Sequence, residues 1–231
     1  MKRIATLLAL LAVCAAPAFA ANSVRISQIY GGGGGGVSTA ATWAQDYVEI
    51  YNNSNVPVNI GSWTIEYGSA AGNWGSSAAN IFTFPVNTTI QPCQYLLVAL
   101  GTASLNPAVP PVPSPDFSNT TTNMSATSGK VALFNAANSN LACGAELAGT
   151  LVDKVSYGAG NCPEVTNAGG LTTTTGDVRN NAGVTDTDNN LNDFTVTNNP
   201  VPRNSQSPRN PNCQLTPTKS STWGNVKQIY R

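Results

Sequence analysis

An all-β fold, a sandwich of strands joined by long loops, is what the sequence predicts, and three observations carry the prediction. Short runs of β-branched and aromatic residues recur at sandwich spacing, about eight or nine of them. The chain is rich in Gly, Thr, Asn, Ser, Val and Pro and poor in charge, charged residues making up 10% of it. Between the runs no stretch of the body carries a helical period.

The first element is not part of that fold. Lys2 and Arg3 precede an apolar run from Ile4 to Ala16 and a small-x-small site at Ala18-Phe19-Ala20, the layout of a secretory signal peptide, residues 1–20, cut after Ala20. The run is shorter than the roughly 20 residues of a membrane-spanning helix, and no transmembrane segment is expected after cleavage. Val13 directly before Cys14 argues against a lipid-anchored leader. The expected destination is outside the cell, at its surface or in the periplasm.

The mature chain then opens with a strong strand, Val24 to Tyr30, ended by six glycines, Gly31 to Gly36. A phosphate cradle would need a helix N-terminus after those glycines and usually a Lys. Ala, Thr and Trp43 lead instead into another strand, so a surface loop is expected. From Asp46 to Tyr67 two alternating runs, separated by Asn, Ser and Pro, read as a central β-meander with Val48, Ile50 and Trp63 facing the core and Tyr47, Glu49 and Tyr51 facing away. Val56 to Ile60, Asn80 to Phe84 and Gln94 to Ala99 continue the strands. Thr102 to Ser128 loses periodicity and carries Pro107, Pro110, Pro111, Pro113 and Pro115, a polyproline-like surface crossover. Gly129 to Phe134, Leu151 to Tyr157 and Asp193 to Thr197 are the remaining strands, and Gly158 to Asn192 is mostly turn formers. One domain is expected over residues 21–205. Residues 206–231 form a linker and tail, in which Trp223, Val226 and Tyr230 stand at the i, i+3, i+7 spacing of a short capped helix ending in Lys227 and Arg231.

Charge and cysteines bound the function. The whole chain has eleven basic and eleven acidic residues; removing Lys2 and Arg3 leaves it slightly acidic, without a global field for nucleic acid. The five charged residues after Pro202 (Arg203, Arg209, Lys219, Lys227, Arg231) are nevertheless all basic. Four cysteines survive cleavage, and an even number in an exported chain argues for two disulfides. Of the three pairings, Cys143 with Cys162 and Cys93 with Cys213 is favoured, the second stapling the tail to the body. Zinc is disfavoured, because no cysteine pair has short spacing and the chain has no His.

Catalytic candidates are few. Without His there is no Ser-His-Asp or Cys-His set. Glu49 and Glu66 are the available carboxylate pair for glycosidic hydrolysis, but each sits mid-strand on a polar face, where a solvated or Lys-paired carboxylate is the ordinary outcome. The segment Asp186 to Asp193 (DTDNNLND) puts Asp186, Asp188 and Asn190 at positions 1, 3 and 5 of a calcium-loop-like array. Leu191 replaces the glycine of an EF-hand loop and Thr197 its bidentate Glu, so an Asx-rich turn accepting backbone N–H groups or pairing with Arg179 is the stronger reading. Calcium is the one cofactor considered.

Taken in order, VRISQIYGGGG, DYVEIYN, VNIGSWTIEY, QYLLVA, SGKVALF, LVDKVSYG, Arg179, TDTDNNLNDF and NPVPRNS resemble the lamin tail domain of bacterial secreted proteins, over about Val24 to Ser205. The resemblance implies an immunoglobulin-like β-sandwich and a non-catalytic module with no catalytic residues to carry over. It implies a binding or structural role, since bacterial versions are often attached to exported nucleases, phosphatases and other hydrolases and nuclear versions are binding platforms. The expected partner is a protein, an envelope component or a polymer. The alternatives are a calcium-stabilised adhesion or envelope protein and a DNA-binding accessory of an exported nuclease or phosphatase.

Overall fold

A computed structural model describes residues 23–213. Two sheets face each other. The larger has six strands: β1 (Val24–Tyr30), β2 (Asp46–Asn52), β7 (Tyr95–Leu100), β8 (Phe117–Asn119), β11 (Thr175–Arg179) and β12 (Phe194–Asn198), in the order β12-β11-β1-β2-β7-β8. The smaller has β4 (Thr64–Ser69), β5 (Ile81–Thr83), β9 (Gly129–Phe134) and β10 (Leu151–Tyr157), in the order β10-β9-β4-β5. β3 (Val58–Asn59) and β6 (Thr89–Ile90) form a separate ribbon at one end. This is the immunoglobulin-like all-β sandwich that the sequence predicts.

The core follows from strand alternation. Ile26, Ile29, Val48, Ile50, Leu96 and Val98 of the large sheet meet Ile65, Phe82, Val131, Leu133 and Val155 of the small one in a single buried cluster. Each such side chain contributes roughly 1.5–3 kcal/mol on leaving water.

Asp46 to Tyr67 is not a meander. β2 pairs with β1 and β7, whereas β4 pairs with β5 and β9 in the opposite sheet. The Asn52–Trp63 connection therefore crosses from one sheet to the other. Nor does β2 have a wet face, because all seven of its residues are buried. Its outward tyrosines are roofed by loops. Tyr47 stacks on Tyr30 with ring centroids 5.5 Å apart, under Val112 of the proline-rich crossover. Tyr51 stacks on Tyr95 at 4.9 Å, beside Val184 and the Cys93 and Cys213 pair. Trp63 is half-buried and packs against the core from its margin.

The glycine run also differs from a loose surface loop over its first half. Gly31 and Gly32 are buried, and a Cβ on Gly32 would lie 2.6 Å from the Thr173 backbone. Asp46 clamps the run from beneath, its carboxylate accepting the Gly33 N–H at 2.8 Å and the Met124 N–H at 2.6 Å. Gly35 and Gly36 are exposed.

Three strands lie where the sequence shows only loop. β8 is three residues long and runs parallel to β7 inside the proline-rich crossover. β6 closes the small ribbon. β11 (TGDVR) sits inside the large sheet between β1 and β12, with the helical turns Asn180–Gly183 and Asn190–Asp193 following it.

Candidate functional site

At the ribbon end the sandwich leaves an apolar groove of about 660 Å³. The first residues of β1, the ribbon strand β3, Trp63 and the start of β10 form its walls, with Val24, Val58, Trp63, Leu151 and Val152 as the apolar surface. Val56 and Leu151 are 55% and 36% exposed. The lining has no ionisable side chain; Asn59, Asn135 and Ser23 supply its polarity. Such a groove can hold an apolar segment, and its walls offer no acid and no base to activate the Ser23 hydroxyl.

The Glu49 carboxylate and the Arg179 guanidinium are instead buried and engaged within the fold. The Arg203 guanidinium lies 2.7 Å from Glu49, and the Arg203 backbone N–H donates to the other Glu49 oxygen at 2.5 Å. Ser27 Oγ donates to the same carboxylate at 2.5 Å. Burial raises the Glu49 pKa, and the Arg203 charge opposes the rise. Arg203 also lies 3.9 Å from the centroid of the Tyr95 ring. These contacts seat the chain after Pro202 across the outer face of β2 and β7.

A second centre surrounds Arg179 on β11. Its guanidinium donates to the Ile26 carbonyl at 2.7 Å and to Asp153 at 2.6 Å, pairs with Asp186 at 3.2 Å and Asp193 at 3.6 Å, and lies 4.5 Å from the Phe194 ring centroid. Burial disfavours this cation, but Asp153, Asp186, Glu164 and Asp193 outweigh it and hold the Arg179 pKa above its ordinary value. Glu164 is pushed up to about 8, first by burial and then by Asp153.

The residues singled out from the sequence fall into this second centre or away from it. Asp186 faces Arg179 and, at 3.5 Å, Arg25. Carboxylate oxygens of Asp153, Glu164 and Asp186 lie within 4.8 Å of one another, and Asp188 is not in that group. Asn190 is buried, its amide oxygen accepting the Ser156 and Glu164 N–H groups at 3.0 and 3.1 Å and its Nδ2 donating to Lys154 O and Glu164 Oε2. Asp193 accepts the Thr187 N–H at 2.9 Å, a carboxylate-to-backbone contact that spans the segment. Glu49 and Glu66 lie in opposite sheets, and neither is solvated as the alternation suggests. Glu66 is buried and accepts the Asn138 N–H at 2.7 Å and the Thr64 hydroxyl at 3.1 Å. Both expected disulfides are present, Cys93–Cys213 and Cys143–Cys162.

Sequence reading missed Arg203 as the partner of Glu49, and Asp153 as that of Arg179. The proline-flanked Arg in NPVPRNS is the one signal that could have flagged the first. Of the five basic residues after Pro202, Arg203 and Arg209 are bound to the body, Arg209 through the Pro92 carbonyl. Lys219, Lys227 and Arg231, with the expected short helix, lie outside the described residues, as does the expected signal peptide. Among the described residues no helix is long and apolar enough to cross a membrane.

Compared with models of protein families, the chain matches the Lamin Tail Domain over residues 17–159. Among solved structures, it is similar to a DUF4876 family protein from Bacteroides thetaiotaomicron VPI-5482, with a TM-score of 0.54 at 13% identity, covering 85% of this chain and 75% of that one. At such identity the likeness is one of fold. No curated protein matches the chain.

Proposed function

This chain belongs to the Lamin Tail Domain family, and we propose on that basis that it works as a secreted, non-catalytic module with a binding or structural role at the cell surface or outside the cell. The observation that carries the reading is the use made of Glu49, Arg203, Asp153 and Arg179. They hold loops and strands together in buried contacts, while the open groove is lined by uncharged residues. Two disulfides fit an oxidising, extracytoplasmic compartment, and the leader-like N-terminus supports export. The partner would be a protein, an envelope component or a polymer. Purified protein should release no product from phosphodiester, phosphomonoester or glycoside substrates, and cross-linking in the native envelope should capture a partner. Hydrolysis abolished by a single point substitution would overturn the reading.

A calcium-stabilised adhesion or envelope protein is the second reading. It draws on the proximity of the Asp153, Glu164 and Asp186 carboxylates, although the Arg179 cation already sits against two of them. A melting temperature that is the same in calcium and in EDTA would remove it. The DNA-binding accessory rests on Lys219, Lys227 and Arg231 of the tail, and failure to bind DNA at low ionic strength would remove that one.

A further inference from the structure

We propose that the apolar groove at the ribbon end is the docking site of this chain's own C-terminal segment, residues 219–231, with Trp223, Val226 and Tyr230 as the side chains that enter it. Three observations converge on that occupant. The first is where the described chain ends. Cys213 is held by its disulfide to Cys93, and its sulfur lies 3.9 Å from the Ser54 carbonyl. Ser54 in turn donates its hydroxyl to the Val56 carbonyl at 2.9 Å, and Val56 is a wall of the groove. The tail therefore departs from the groove's rim.

The second observation is reach. Trp223 is ten residues beyond Cys213, a span of roughly 18 Å as a flexible chain and at most about 33 Å extended. Tethering at that length gives an effective concentration of about millimolar order, so a contact too weak to form between separate molecules forms within one.

The third is chemical fit. Exposed Val56 and Leu151 and half-buried Trp63 present apolar surface, and the lining has no charge to neutralise. The tail places Trp223, Val226 and Tyr230 on one side of a helical period, with Lys219, Lys227 and Arg231 free to remain in water, the pattern of an amphipathic helix laid in a groove. A cavity of about 660 Å³ is within the roughly 300–1,000 Å³ that takes a drug-sized ligand, room for an indole with a neighbouring side chain. The contact is internal to the chain and stands whether or not the module also holds an outside partner.

Site-specific photo-cross-linking on the full chain tests this. Val56→p-benzoylphenylalanine, and separately Leu151→p-benzoylphenylalanine, place a reactive ketone at two positions of the lining. Illumination should give an intrachain cross-link to residues 219–231, located by peptide mass spectrometry. Adding Trp223→Ser and Tyr230→Ser should lower its yield about tenfold. A cross-link between two chains would assign the groove to a second copy, and one to residues 1–22 would assign it to the leader; either outcome overturns the proposal. So does the absence, from both positions in a chain with native near-ultraviolet circular dichroism, of any cross-link to the tail.

Discussion

Arg203 grips the Glu49 carboxylate with both its backbone N–H and its guanidinium, at 2.5 and 2.7 Å, although the two residues stand far apart in the chain. Glu49 is fully buried, so removing its partner leaves an uncompensated charge inside the sheet. Arg203→Ala should destabilise by about 2–4 kcal/mol, measured by urea unfolding. Glu49→Gln in the same chain should recover much of that loss. Equal stability of the single and double variants would show that the pair does not act in this way.

The glycine run should divide into an intolerant half and a tolerant half. A Cβ on Gly33 would run into the Gln45 and Asp46 backbone, whereas one on Gly36 meets nothing within 4 Å. Gly33→Ala should therefore cost about 1–3 kcal/mol, and Gly36→Ala should be neutral or stabilising by up to about 1 kcal/mol. Melting temperatures of the two variants decide the point.

The disulfides should differ in worth. Cys93–Cys213 joins residues 120 apart in the sequence and Cys143–Cys162 joins residues 19 apart. Loop-closure entropy makes them worth about 5 and about 3 kcal/mol respectively. Paired Cys→Ser replacements, compared by denaturant midpoint, should keep that order.

Asp177 should make stability fall as pH rises. Both of its carboxylate oxygens are buried with no hydrogen-bond partner, and burial pushes its pKa up to about 7 from 3.8. Between those values the folded chain holds a proton that the unfolded chain has released. The stabilisation is thus complete below about pH 4, is lost progressively up to about pH 7 and changes no further above it. Asp46 shares this range, raised by burial to about 7 against its two backbone donors. Asp177→Asn should reduce the slope of unfolding free energy against pH by about one proton, roughly 1.4 kcal/mol per pH unit over that window. An unchanged slope would place the titration elsewhere.

The long, apolar strands were legible because their side chains carry the signal. β1, β9 and β10 have the same bounds in the structure as in the pattern. β11 was not legible, since Thr175-Gly176-Asp177-Val178-Arg179 has a glycine and two charges; its place is set by backbone pairing to β1 and β12 and by the ion pairs of Arg179. Alternation misled at β2 for a related reason. Tyr47, Glu49 and Tyr51 look outward-facing until the proline-rich crossover and the chain after Pro202 cover them, and that covering depends on contacts between distant segments. The groove was invisible for the same cause, being assembled from the starts of β1 and β10, the ribbon and Trp63.

The position of β11 has a kinetic consequence. The first strand of the domain waits for the eleventh as one of its two neighbours, with Gln28 opposite Val178, and β11 in turn is flanked by β12. No partial chain that stops before Thr175 can complete the large sheet. Pairings this remote in sequence slow folding, so the N-terminal three-quarters should stay pliable during synthesis. On the proposed export, a chain in that state would thread through a translocation pore and acquire its final form, disulfides included, on the far side.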